Sequence, residues 1–307
     1  MTVLLGFVMV AALGTWIPLA QILSGTPERS RVFYVAVGNV AFAGTALLVG
    51  GADLVFGWRQ FWLPLAGGVV WTAGNYCAFR ASEMIGLARA AGTWTPLNIV
   101  VAFAWGAALF GELDSFSPAR FVGLGVSFLA VVAGVLLIAG SREGSLEQSG
   151  PPSLTPGVRS AERPGAAGAG LLWAGGAGVL WGSYFVPAQW AAIPAQVSNF
   201  PLALGILAGA LALALSAGEP VRLGLRATGV QLSAGALFGI GNLVLLALVA
   251  RVGTGTGFTI AQLSLLVNAS IGIWVFHVPE PGTSQARRVL AGIVIAGFGG
   301  CAIAAMR

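Results

Sequence analysis

The sequence predicts an all-α membrane protein of ten transmembrane helices, built as two inverted five-helix repeats. Three observations predict it. First, 57% of the residues are hydrophobic, only 8% are charged, and the mean hydropathy is +0.89. Soluble domains carry roughly 25% charged residues, so this chain cannot cover a water-facing surface and lipid must be its solvent. Second, apolar runs near the ~20 residues needed to cross hydrocarbon recur along its whole length. Third, its two halves share motifs at a nearly constant spacing.

Run length and breaker residues give the spans in order. The first half holds 3–23, 32–51, 61–81, 85–110 and 119–140. The opening run lacks a basic leader and is too long and too Trp/Pro-rich for a signal peptide, so a retained helix is expected. Residues 141–168 are polar and rich in Pro, Gly and Ser, and cannot bury themselves. They read as a flexible cytoplasmic linker between a first repeat, 1–140, and a second, 169–307. The second half holds spans 170–190, 200–217, 230–250, 255–278 and 289–305. The 46 glycines suit close helix packing in a bilayer.

A shift of 167 residues lays Trp71, Gly74 and Asn75 on Phe238, Gly241 and Asn242, and Ile85-Gly86 on Val252-Gly253. One further gap brings Gly111-Glu112 to Pro279-Glu280, and a shift of 169 brings Trp16-Ile17-Pro18 to Phe185-Val186-Pro187. A unit with an odd number of spans must re-enter the membrane inverted. Inverted repeats around a midplane site mark alternating-access transporters. The connections after spans 1, 3, 5, 7 and 9 carry eleven arginines and the opposite side four. The positive-inside rule puts the first set in the cytoplasm and both termini outside. A multi-pass protein of the cell membrane, the bacterial inner membrane, is the expected location.

Several chemistries are disfavoured. The net charge of +5 comes from 15 arginines without lysine, and no basic stripe with interleaved aromatics points to nucleic acid. Cys77 and Cys301 lie in apolar spans without disulfide or metal spacing. All ten acids fall in loops or at span ends, so no mid-span carboxylate marks a proton path. His277 is the only histidine and stands near a span end. Membrane enzymes of lipid chemistry need clustered His, Asp or Glu. No cofactor or metal is expected, and a coupling ion, H⁺ or Na⁺, stays open.

The apolar spans instead carry neutral hydrogen-bonding groups. Trp71 and Asn75 are i,i+4 on one face of span 3, and Phe238 and Asn242 repeat this in span 8. Trp94, Thr95 and Asn98 lie in span 4. In span 9 Gln262 shares a face with Thr259, and Asn268 with Ser264. Spans 1 and 6 add Trp16, Trp181, Tyr184 and Gln189. Amides in hydrocarbon must find partners. They pair with the hydroxyls of a polyol, and aromatic faces stack on the C–H face of a sugar ring. They also bond helix to helix without any ligand, so each Asn has two readings. The candidate binding set is Trp71, Asn75, Trp94, Thr95, Asn98, Tyr184, Gln189, Asn242, Gln262 and Asn268. Arg80 and Glu83, i,i+3, are expected to pair at the membrane surface. Glu112 and Glu280 end their spans in equivalent places as structural or gating residues. Pro96 either breaks span 4 or kinks it.

The run Trp71-Thr-Ala-Gly-Asn75, then Ile85-Gly-Leu-Ala-Arg89-Ala, then Trp105-Gly106 and Phe110-Gly-Glu112, resembles the glucose/ribose porter family. That family is a sugar-uptake branch of the drug/metabolite transporter superfamily. The second half resembles it through Phe238–Asn242 and Gly253–Glu280. Here Ala91-Gly92 follow the Ile-Gly-x-x-Arg turn, where the family often shows a proline. The resemblance implies two inverted five-helix repeats and import of a monosaccharide. Other readings are an exporter of amino acids or metabolites from the same superfamily, and a membrane enzyme or scaffold.

Overall fold

The computed structural model describes residues 2–23, 25–50, 56–111, 117–139, 166–216, 222–252, 257, 260–261 and 263–305. The described residues form helices and turns, with no strand among them. The helices are α1 (Thr2–Gln21), α2 (Glu28–Val49), α3 (Trp58–Ile85), α4 (Leu87–Phe110), α5 (Pro118–Ala139) and α6 (Ala166–Trp181). There follow α7 (Val186–Trp190), α8 (Ala195–Leu215), α9 (Leu225–Val252), α10 (Ser264–Trp274) and α11 (Ser284–Ala305). Most of the polar segment expected as a linker, 141–165, lies outside the described residues; its last three residues, 166–168, open α6.

Six stretches are long and apolar enough to cross a membrane: Leu4–Gln21, Glu28–Val49, Arg89–Phe110, Ala167–Trp190, Ala195–Leu215 and Leu225–Arg251. Pro118–Gly134 and Ser264–Trp274 are shorter apolar helices. The chain is thus a multi-pass membrane protein. Its outward side chains agree: Leu129, Leu136, Leu172 and Phe298 are large, apolar and exposed.

Two local features differ from the sequence reading. The gap expected between spans 3 and 4, residues 82–84, is helical, and the break is a single residue further on, Gly86, at φ 76°. A side chain is strained at that φ, and a Cβ there would lie 2.8 Å from Val278. Span 4 stays helical through Pro96. The interruption falls instead in span 6, where the turn 182–185 separates α6 from α7.

The helices pack in exchanged pairs. α1 lies on α9 as α6 lies on α3; α2 lies on α9 as α8 lies on α3; α1 lies on α10 as α6 lies on α4. α2 also meets α8, and α5 meets α11. The closest crossings are made by glycines, where a Cβ would strike the facing backbone. Gly38 faces the Leu232 carbonyl, and Gly205, 167 residues on, faces that of Leu65, 167 residues back. Gly68 faces the Leu202 carbonyl and Gly235 that of Val35, at the same offset. Side chains add ties: Thr72 Oγ1 donates across the α3–α8 crossing to the Ile206 carbonyl at 2.9 Å, and Gln231 Nε2 joins α9 to α1 through the Ala20 carbonyl at 2.9 Å.

Candidate functional site

Where α1, α3, α4, α6, α9 and α10 converge, they line a partly open cavity of about 80 Å³. One water needs roughly 10–15 Å³ of such space, so the cavity holds one small solute rather than a chain. Its walls are aromatic because α1, α3, α4, α6 and α9 each turn a large ring inward. Trp71 sits 4.2 Å from Phe238, 5.7 Å from Trp16 and 6.0 Å from Trp181, centroid to centroid. Trp94 meets Trp181 edge-on at 5.4 Å. Trp181 Nε1 donates to the Trp71 carbonyl at 3.2 Å, which fixes the ring's tilt.

Between the rings stand neutral polar groups: Thr95 and Asn98 from α4, Ser264 and Asn268 from α10, Asn242 from α9, and Tyr184 from the turn 182–185. No charged side chain lines the cavity among the described residues. Tyr184 Oη donates to Asn242 Oδ1 at 2.8 Å, and Asn242 Nδ2 donates to Asn199 Oδ1 at 3.1 Å. This chain links α9, α8 and the turn, so the Asn242 amide is held in one orientation. The Oδ1 atoms of Asn98 and Asn268 are buried and accept from no donor among the described residues.

Tyr184→Phe removes the donor to Asn242 and strands that oxygen in an apolar wall. The expected cost is about 1–3 kcal/mol, read as a lowered melting temperature in detergent. An unchanged melting temperature would show that this bond does not hold the site together.

Seven sequence candidates meet here: Trp71, Trp94, Thr95, Asn98, Tyr184, Asn242 and Asn268. Asn75 does not line the cavity; it is fully buried on α3, and neither amide atom has a partner among the described residues. Gln189 also stands apart, on α7, because the turn 182–185 resets its face relative to α6. Gln262 and Glu112 lie outside the described residues, and Glu280 is exposed beyond α10. Trp16, Trp181, Phe238 and Ser264, noted above only as neighbours, are lining residues. Asn199 was missed; the signal was an amide one residue before an apolar span.

The expected Arg80–Glu83 pair is corrected. Arg80 Nη1 lies 3.1 Å from Glu28 Oε1, and Arg31 Nη1 lies 3.4 Å from Glu83 Oε1. Both pairs cross from α3 to α2. Arg31 is 5% exposed, and a buried cation draws the nearest carboxylate because an uncompensated charge there is costly. It also donates to the Thr26 carbonyl at 3.1 Å and lies over the Phe79 ring at 5.1 Å.

A small cavity of rings and amides, with no charged side chain among its described lining residues, thus lies within a multi-pass helical membrane protein. The chain belongs to the sugar transport protein family, whose model it matches over residues 4–306. It is 24% identical to "Putative sugar uptake protein lin0215" of Listeria innocua, over 99% of this chain and 98% of that one. It is 23% identical to "Putative sugar uptake protein lmo0176" of Listeria monocytogenes at the same coverage, 99% and 98%. A "Putative sugar uptake protein" of Lactiplantibacillus plantarum is 22% identical over 92% of each chain. A protein of known crystal structure, 18% identical, shares the fold with a TM-score of 0.59 over 99% of this chain and 96% of its own. The family resemblance carried by Trp71–Asn75 and Phe110–Glu112 therefore holds.

Proposed function

We propose that the protein imports a neutral monosaccharide, glucose- or ribose-like, by alternating access. The observation that carries this is the pair of buried acceptors, Asn98 Oδ1 and Asn268 Oδ1, without a donor among the described residues, in a cavity walled by tryptophans whose described lining carries no charge. Each such acceptor costs about 1–3 kcal/mol while unmet. A sugar hydroxyl donates to each, and the ring's C–H face lies on the indoles. The names of the relatives, sugar uptake proteins, support the same substrate class. An exported amino acid would bring two charges to walls that carry none.

The proposed scaffold is ten membrane helices in two inverted repeats, 1–140 and 169–307. Glycine crossings that recur at 167 residues support it. So do two further pairs: Gly14 faces the Ser264 carbonyl as Gly182 faces that of Asn98, and Gly134 faces that of Gly292 as Gly299 faces that of Ser127. Arginine placement supports outward termini in a bacterial inner membrane. No resident cofactor is needed for this work, and H⁺ or Na⁺ is the coupling ion where one is used.

The test is thermal unfolding of the detergent-solubilised protein against sugars, amino acids and drugs. A ligand that binds only the folded state raises the melting temperature. Stabilisation by a hexose or pentose is expected. Stabilisation by an amino acid, with none by any sugar, would overturn the reading.

A further inference from the structure

We propose that Asn75 is a second ligand-binding amide, hidden in this conformation and brought to the cavity when the opposite end of the protein opens. This rests on the carrier reading above. Asn75 and Asn242 stand 167 residues apart, the offset of the glycine crossings. The residues before them pack alike: a Cβ on Gly74 would meet Trp181, and one on Gly241 would meet Leu13, at 2.7 Å and 2.6 Å. The two amides therefore occupy matching places in the two halves.

Their surroundings do not match. Asn242 lines the cavity and is bonded by Tyr184 and Asn199. Gly14 and Gly182 make equivalent contacts, and two residues after them stand Trp16 and Tyr184; Val32 stands 167 residues before Asn199, and neither Trp16 nor Val32 bonds to Asn75. The Trp16 ring lies 5.7 Å from Trp71 and 6.3 Å from Phe79, the residues one turn to either side of Asn75. It covers the helix face on which Asn75 sits.

An amide kept for helix packing bonds across to a neighbour. Asn75 bonds to nothing described, so packing gives no return for burying it. The cavity is also uneven about the pseudo-axis. It reaches Leu245, beyond Asn242, and stops short of the matching Ala78 and Asn75. The end it fails to reach is latched by Arg31–Glu83 and Arg80–Glu28. The matching positions in the second half are Ser198, Ala250, Ala247 and Ala195, which hold no charge. The end beyond Asn75 carries two ion pairs and lies outside the cavity; the matching places at the other end carry none. When the latched end opens, Trp16 withdraws and the Asn75 amide offers a donor and an acceptor to the leaving polyol.

The experiment has two arms. In the first, Asn75→Leu keeps the shape and removes the amide. Its melting temperature should hold or rise, and sugar binding to the solubilised protein should stay near that of the unaltered chain. Counterflow of labelled glucose in proteoliposomes should fall by about tenfold or more. Unaltered counterflow overturns the proposal. In the second arm, Asn75→Cys is placed in a chain with Cys77→Ala and Cys301→Ala and exposed to a small water-soluble maleimide in membrane vesicles. Labelling is expected, and Glu28→Gln with Glu83→Gln should speed it several-fold by loosening the latch. No labelling in either background overturns the proposal whatever the substrate, and this arm decides if the leucine variant does not fold. Lack of any sugar binding by the unaltered protein counts against the sugar reading alone, because the labelling arm needs no sugar.

Discussion

Gly205→Leu is expected to yield no folded protein. A Cβ at this position would strike the Leu65 carbonyl, with the Leu65 Cα at 2.9 Å behind it. The obstacle is the backbone of α3, so no side-chain rotation relieves it. Inserting even a few extra atoms into a packed core costs about 1–3 kcal/mol, and leucine adds four carbons where two backbones touch. Gly38, Gly68 and Gly235 face the same obstacle, and leucine at each should act alike. Gly125→Ala is the contrast. Nothing lies within 4 Å of a Cβ there, and replacing glycine within a helix gains up to ~1 kcal/mol. Size-exclusion profiles and melting curves in detergent check both. A monodisperse Gly205→Leu protein with an unaltered melting temperature would show that α3 and α8 do not cross at these residues.

The membrane architecture was legible because hydrocarbon imposes a length and a composition that few other constraints imitate. The lining residues were legible for a related reason. Asn98, Asn242 and Asn268 are costly in apolar helices, and cost without an evident return points to a site. What could not be read depends on neighbours from distant sequence. Asn75 and Asn242 follow the same Gly-Asn step, yet Tyr184 and Asn199 complete one, whereas Trp16 lies over the helix face that carries the other. Helix spacing allows Arg80 to reach Glu83, but Glu28 on α2 lies closer to hand. Pro96 advertises a break in span 4 that the helix absorbs. The real interruption, the turn 182–185, opens on the unremarkable Gly182-Ser183 and turns Tyr184 into the cavity.

Asn98→Leu is expected to weaken sugar binding by about five- to 150-fold while leaving the unliganded protein as stable as before, or more so. The two signs follow from one fact. Asn98 Oδ1 is buried and accepts from no described donor, so deleting it costs the empty protein nothing and relieves an unmet acceptor. The bound sugar loses the partner of one hydroxyl, and a buried hydroxyl left unpaired costs about 1–3 kcal/mol, where each 1.4 kcal/mol is a factor of ten. Asn268→Leu should repeat the pattern from α10, across the cavity. The double variant should bind no sugar at concentrations that saturate the unaltered protein. Calorimetric titration gives the affinity, and thermal unfolding gives the stability of the empty form. If these amides only joined helices, the signs would reverse: melting temperatures would fall and affinity would hold. The pair of measurements therefore separates a ligand-binding amide from a packing amide. It also sets Asn98 apart from Asn75, where affinity should hold and transport should fail.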